Sequence, residues 1–407
     1  MTVTCPLICI VAGEPSGDVL GARLMAALKE MTGGNIRFMG VGGESMAAEG
    51  LVSLIDQSDL AVMGFVEVLP RIPRVLSHLS DLTKCIKREA PVALLTIDSW
   101  GFNGALQKRV AKACPSVKRI HYVAPMVWVW KEGRAKSVAR TVEHLLCLFP
   151  YEPPYFERYG LCCTHVGHPL ASMCRSGDRD FKQRHSIAEA DLLLCLLPGS
   201  RQGEVARLLP VLKDVVVHLA ARFPNLFFVL PVIATVEAHV QREVSTWPVR
   251  VVCVSGERER YAAFSASSAA VAASGSVTLE LARFGVPHCV IYKVSSITAW
   301  LFKRLRRMSF VNLVNIALDR QVVPELLQGE CTAGRIVPHV ESFLFDDAVR
   351  GEQQACFGRA LLALAGGRHT SAVHAAHSVL DCIGLSPIAE ERCHNAPAVS
   401  ACDDPCP

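Results

Sequence analysis

Short, mostly apolar runs recur along the first half of the chain, each ended by a turn and followed by a longer amphipathic stretch: Leu7 to Ala12, Ile36 to Val41, Val92 to Ile97, Ile120 to Val123 and Leu145 to Phe149. Runs this short and this continuously apolar read as strands buried on both faces, and their alternation with helical stretches gives βαβ units. Right-handed crossovers then place the strands in a mostly parallel sheet with helices on both sides. After Val166-Gly167-His168-Pro169 the rhythm begins again, at Leu192 to Leu197, Leu226 to Leu230, Val249 to Val254, Ala269 to Ala273 and Cys289 to Tyr292. The pattern predicts an α/β protein of two Rossmann-like, doubly wound parallel-sheet domains facing a cleft. The first domain is expected over 1–170 and the second over 171–345. C-terminal helices follow over 346–385, then a frayed tail over 386–407. Gly, Pro and the charged stretch Arg175 to Arg184 mark the junction near 167–190.

Length agrees with this division, because 407 residues exceed one compact core and suit two domains of about 150 to 200. With 51% hydrophobic and 20% charged residues the chain is no disordered segment. A net charge of +4 is too small for a nucleic-acid partner. No apolar run reaches the ~18 residues of a spanning helix, and Met1 to Pro6 lacks a basic leader, so the expected location is the cytosol. The cysteines sit mainly inside apolar runs, as Cys147, Cys195, Cys253 and Cys289 do, where free Cys acts as a small core hydrophobe. No CxxC pair or zinc spacing occurs, so no metal is expected.

Ligands of such folds bind beyond the carboxyl ends of strands, which confines the search for chemistry to the turns after each apolar run. The first is Gly13-Glu14-Pro15-Ser16-Gly17-Asp18. It reads either as a capped tight turn, with Ser16 or Asp18 as cap, or as a ligand-facing loop that puts Glu14 at the sheet's edge. It is no GxGxxG, so a dinucleotide is unsupported. After the third run, Asp98 is either a helix cap or a general base for an alcohol that turns acidic as it attacks an electrophilic carbon. In the second half, Pro198-Gly199-Ser200-Arg201 opens a helix whose N–H groups form an anion nest, and Arg201 adds a fixed positive charge suited to a diphosphate. Ser274-Gly275-Ser276-Val277-Thr278 offers a second such start. Its hydroxyls at Ser276 and Thr278 can donate to phosphates, and Glu280 can accept both hydroxyls of a ribose.

Three of these four turns, all but that of Asp98, fall within segments that resemble the lipid-A-disaccharide synthase family: GEPSGD (13–18), GVGG (40–43), DLAVMGFVEVLP (59–70), HYVAPMVWVWKEGR (121–134), VGHPL (166–170), LLPGSRQGE (196–204), ASGSVTLE (273–280) and PELLQ (324–328), in one collinear order over about residues 5 to 345. The resemblance implies a GT-B fold without metal or other cofactor. It implies inverting transfer of 2,3-diacylglucosamine from UDP-diacylglucosamine to the 6-hydroxyl of the acylated sugar phosphate, 2,3-diacylglucosamine 1-phosphate. By position, Asp98 resembles the family's general base, Arg201 with Ser200 its diphosphate contact, and Glu280 its ribose carboxylate. Ser274, Gly275, Ser276, Thr278 and Asn315 fall on the donor side, and Glu14, Ser16 and Gly17 on the acceptor side. The chain departs from the family pattern at Gly101, where a second carboxylate is usual, at Met126, where a Ser is usual, and at Val314, where a Pro is usual.

Acylated substrates imply contact with the inner face of the bacterial inner membrane, peripheral because no span exists. Two basic amphipathic stretches suit anionic lipid: residues 63–76, with Phe65 and Leu69 beside Arg71 and Arg74, and 297–310, with Trp300 beside Lys303, Arg304, Arg306 and Arg307. The alternative for each is a core-facing helix with a solvated basic side. A homodimer stays open. Two rival functions remain: a UDP-sugar epimerase of the same architecture, and a catalytically silent nucleotide-binding protein, which Gly101 favours.

Overall fold

The computed structural model describes residues 5–60, 72–127, 133–171, 180–294, 310–367 and 369–387. Among them, the strands β1 (Leu7–Ala12), β2 (Arg37–Val41), β3 (Ala93–Ile97), β4 (Lys118–Tyr122), β5 (His144–Cys147) and β6 (Cys162–His165) form one parallel sheet in the order β2-β1-β3-β4-β5-β6. A second parallel sheet holds β7 (Leu192–Leu197), β8 (Leu226–Val232), β9 (Val251–Ser255), β10 (Ala269–Ala273), β11 (His288–Tyr292) and β12 (Glu325–Leu327) in the order β12-β11-β10-β7-β8-β9. This is the expected two-sheet α/β architecture. It adds two edge strands, β6 and β12, that lack a continuous apolar run.

The strands β1, β3, β7 and β10 are apolar but for Thr96, because helices cover both faces of each sheet. Ile8 through Ala12 are fully buried, as is every residue of β3. The helix Pro15–Met31 packs Leu24, Met25 and Leu28 onto β1 and β3, and truncating such a fully buried Leu costs about 2–5 kcal/mol.

The C-terminal helices do not form a unit of their own. Asp347–Leu364 sets Phe357, Ala360 and Leu364 against Leu279, Val290 and Val314 of the second half. Ser371–Ile383 instead returns to the first half, where Ala375, Ala376, Val379 and Leu380 share a core with Leu24, Leu28 and Tyr122. The chain therefore crosses between its halves twice, after β6 and again after Leu364. The second crossing ties the two halves at a point the sequence pattern did not mark.

The described cysteines are all free, with Cys147, Cys195 and Cys289 buried and Cys253 partly so. Among the described residues, no helix is long and apolar enough to cross a membrane.

Candidate active site

Sheet order decides where a ligand can enter. In the first sheet β1 lies between β2 and β3, so the loops leaving β1 and β3 depart to opposite sides and open a crevice at their carboxyl ends. Those two loops carry Glu14 and Asp98. In the second sheet β7 lies between β8 and β10, and the loops leaving β7 and β10 carry Arg201 and Ser274 to Ser276. All four turns singled out in the sequence thus stand at the two topological switch points.

The first pair is joined by a serine. Ser99 Oγ donates to Glu14 Oε1 at 2.8 Å, and the Ser99 amide donates to Asp98 Oδ1 at 2.8 Å. One hydroxyl-bearing residue thereby holds two carboxylates side by side. No other described residue hydrogen-bonds the Asp98 carboxylate. Burial raises the Asp98 pKa above the ordinary carboxylate range; the Ser99 amide opposes this and the Glu14 charge adds to it. Asp98 does not cap the following helix, Trp100–Ala113. The N-cap position is Ser99, and no side chain caps it.

The backbone beneath is unusual, since Asp98 and Ser99 both lie in the left-handed region, at φ 52° and 42°. The Asp98 amide donates to Tyr122 O at 2.9 Å, and buried Asn103 donates to Ile97 O and Asp98 O at 3.0 and 2.8 Å. Deeper, Gln107 donates to Thr96 Oγ1 and Ile120 O, both at 2.9 Å, and Thr96 Oγ1 lies 2.7 Å from His121 Nδ1. Burial pushes the His121 pKa down to about 3, which leaves the imidazole neutral, with Trp100 edge-on at 4.8 Å.

The loop after β1 is anchored by Asp18, but not as a cap of its own helix. Its carboxylate accepts from Gly43, Ser45 and Met46 amides at 2.7, 2.8 and 3.1 Å, capping the neighbouring helix Glu44–Ala48. Gln57 Nε2 adds bonds to Ala12 O and Glu14 O. Ser16 is exposed on this rim. Gly17, expected to line the acceptor side, is buried and faces Ala12 and Ile97, so its small size serves helix–sheet packing.

In the second pair, Arg201 and Ser200 are exposed at the start of the 21-residue helix Gln202–Arg222. Glu204, unremarked in the sequence, folds back so that its Oε2 accepts from the Ser200 amide at 3.2 Å. The space it uses exists because Gly199, at φ 105°, has no Cβ; one placed there would stand 2.0 Å from Glu204 Oε2. Burial raises the Glu204 pKa, against the pull of the loop amides and of Arg201 and Arg207.

At the other turn, Gly275 and Ser276 are exposed and Ser274 Oγ donates to Val311 O at 3.3 Å. Glu280 lies 3.3 Å from Arg260 Nε as an ion pair without hydrogen-bond alignment, so its Oε2 accepts no bond. Burial raises its pKa; Arg260 lowers it and Glu257 raises it further.

Two donor-side expectations are corrected here. Thr278 is fully buried and its hydroxyl donates to Gly275 O at 2.8 Å, so that donor is spent inside the turn and not on a phosphate. Asn315 is fully buried as well. Its Nδ2 donates to Val323 O and Glu325 Oε1, and its Oδ1 accepts from Val322 and Val323 amides, which fills the amide's donors and acceptors. It brackets the segment before β12 together with Glu325, whose carboxylate also receives the Val311 and Asn312 amides.

Of the departures from the family pattern, Gly101 is exposed with open space where a Cβ would be, Met126 is 64% exposed, and Val314 is buried. Phe65 and Leu69, and Trp300, Lys303, Arg304, Arg306 and Arg307, lie outside the described residues. The described end of the first stretch begins the helix Ile72–Glu89, which buries Leu79, Leu82 and Ile86 against the sheet while Leu76 stays 48% exposed. Among the described residues, no three His, Cys, Asp or Glu side chains gather as a metal would need.

Comparison with known proteins agrees with this layout. The solved structure of a glycotransferase of kitacinnamycin superposes with a TM-score of 0.61 at 16% identity, covering 93% of this chain and 99% of that one. The UDP-GlcNAc 2-epimerase from Neisseria meningitidis, solved with UDP-GlcNAc, gives 0.58 at 12% identity over 88% of this chain and 97% of its own. At such identities the likeness is one of fold, the two-domain GT-B arrangement. Sequence is more specific: a lipid-A-disaccharide synthase from Paramagnetospirillum magneticum is 48% identical over 93% of this chain and 97% of its own length. One from Rhodospirillum centenum is 46% identical over 85% and 87%. With the family model for lipid-A-disaccharide synthetase matching residues 8–361, the chain belongs to the lipid-A-disaccharide synthase family.

Proposed function

We propose that this protein transfers 2,3-diacylglucosamine from its UDP conjugate to the 6-hydroxyl of 2,3-diacylglucosamine 1-phosphate, releasing UDP and forming the β-1,6-linked disaccharide 1-phosphate. The observation that carries the reading is the placement of Asp98, with a raised pKa and a carboxylate that, among the described residues, only Ser99 hydrogen-bonds, at the switch point of the first sheet in a chain of this family. In the proposed step the acceptor oxygen attacks the anomeric carbon from the face opposite UDP. The C–O bond to the diphosphate breaks with its electron pair leaving on UDP, and the hydroxyl proton passes to Asp98. A single displacement inverts the anomeric centre. A base poised above the usual carboxylate range suits a hydroxyl that becomes acidic only as the bond forms.

Departing UDP gathers negative charge, and the proposed counterweights are Arg201 and the two helix starts at 202 and 277. Glu280 is assigned to the ribose. Glu14 and Ser16 are assigned to the acceptor rim. The expectation of no metal and no cofactor is carried in this reading, in which fixed protein charges meet the diphosphate. So is peripheral attachment to the cytoplasmic face of the inner membrane through 63–76 and 297–310, as the acyl chains require. Changing Lys303, Arg304, Arg306 and Arg307 together to Gln should reduce liposome co-sedimentation; unchanged binding would remove that surface.

The deciding experiment incubates the purified protein with UDP-diacylglucosamine and the monosaccharide 1-phosphate, and looks for disaccharide and UDP. An altered UDP-sugar formed without acceptor would return the epimerase reading, and UDP binding without turnover the silent one. Asp98→Asn should cut turnover by roughly 10²–10⁴-fold while UDP still binds. Near-normal turnover would mean another group takes the proton.

A further inference from the structure

We infer that Asn103 is a positioning residue for the transfer, acting through Asp98. The inference rests on the proposed role of Asp98 and starts from a backbone that should not hold its shape unaided. Two consecutive non-glycine residues, Asp98 and Ser99, have positive φ, and each left-handed L-residue costs about 1–2 kcal/mol. Left to itself, the chain after β3 would relax to an extended or right-handed path. That change would swing the Asp98 carboxylate and the Ser99 hydroxyl away from each other and from Glu14.

Asn103 opposes that relaxation. It lies one turn into the helix Trp100–Ala113, fully buried, and donates one amide to two successive carbonyls, Ile97 O and Asp98 O. Successive carbonyls of an extended strand point to opposite sides, so one side chain reaches both only where the chain curls as it does at Asp98. The Asn103 backbone amide also bonds to Ser99 O at 3.1 Å, so the turn is gripped from both directions. The side-chain oxygen is buried without a partner. What the turn uses of this residue is therefore its pair of N–H donors, not its polarity in general. The orientation of the amide follows from the two carbonyls it faces.

Asn103→Asp is the sharp test, because it keeps size and shape and replaces both N–H donors by at most one O–H. Asn103→Ser is the second variant, smaller and retaining one. The expected result is a fall in kcat of roughly 10- to 100-fold, the scale of an angstrom-sized misplacement, with the affinity for UDP, measured by calorimetry, unchanged. A purely structural role would lower activity in any background. A role through Asp98 predicts instead that Asn103→Asp adds nothing once Asp98→Asn has been made, so the double variant keeps the residual turnover of Asp98→Asn alone. Wild-type kcat in both single variants, or losses that multiply in the double variant, would overturn the inference. If Asp98→Asn turns over near the wild-type rate, the reading of the base has failed and the inference falls with it; if Asp98→Asn is impaired and the Asn103 variants are not, the inference alone has failed.

Discussion

A Cβ placed on Gly167 would stand 2.2 Å from the carbonyl oxygen of Ala365, where the two crossings between the halves of the molecule run back to back. Gly167 has φ 86°, and the next amide, His168, donates to Leu364 O at 2.7 Å. The contact joins the strand leaving the first sheet to the chain returning to it, so neither crossing can move independently. Gly167→Ala adds both a clash with backbone and a left-handed alanine. It should destabilise the fold by roughly 2–3 kcal/mol, read as a lower denaturant midpoint. A midpoint equal to wild type would show that the crossings do not bear on each other.

Glu152 gives the fold a pH dependence of definite sign. It follows β5, is 1% exposed, and accepts from the Phe149 amide at 3.0 Å. Burial raises its pKa to about 8 from an ordinary 4.5, against the lowering pull of the Phe149 and Leu148 backbone. Between those two values the native chain keeps a proton that the unfolded chain has lost. Stability contributed by this group should thus be full below pH 4.5 and fall as pH rises toward 8. Glu152→Gln stays neutral throughout and should flatten the decline, gaining a few kcal/mol over wild type at the alkaline end. Parallel stability–pH curves for the two proteins would contradict this.

Asn315 separates a binding role from a bracing one. Its side chain holds four bonds to Val322, Val323 and Glu325, all within the segment that enters β12. Asn315→Ala strands buried partners, which costs about 2–4 kcal/mol, and the loss should appear in thermal or denaturant unfolding. Below its unfolding temperature the variant should keep a KM for the UDP-sugar near that of wild type. A raised KM in a protein of unchanged stability would restore Asn315 to the ligand.

The contrast shows what was legible in the sequence. Strands such as β1, β3, β7 and β10 announce themselves because residues buried on both faces are apolar in all but one case, Thr96. Crossover handedness places helices on both faces of a parallel sheet and confines ligands to the turns after the strands, but the strand order, and with it the switch points, is visible only in the structure. Edge strands β6 and β12, Cys162–His165 and Glu325–Leu327, are short and half-exposed, and carry no such run. Polar side chains were harder, because their partners are fixed by packing and not by spacing. Asp18 caps a helix some 26 residues on, Glu325 gathers amides 10 to 14 residues back, and Thr278 turns inward where its neighbour Ser276 faces out. Asn103 sits within a stretch that the strand-end Asp98 dominated, and only the positive φ values reveal what it restrains.

Glu204 poses the sharpest question about donor binding. Its carboxylate already lies on the helix start proposed to take the diphosphate, accepting from the Ser200 amide above Gly199. Two effects compete there. The bond shapes the loop, while the charge repels an arriving anion, and at an effective dielectric near 20 two unit charges ~4 Å apart interact by about 4 kcal/mol. Glutamine separates them, since it keeps an acceptor for Ser200 and removes the charge. Glu204→Gln should therefore bind UDP several-fold more tightly than wild type, and Glu204→Ala, which frees the loop, more weakly. Because burial raises the Glu204 pKa, wild-type affinity should itself climb as pH falls through that titration, whereas the Gln variant should show no such rise. If both variants lose affinity alike, the negative charge is itself required at the nest, and the diphosphate must be held by Arg201 and the turn after β10 without the first helix start.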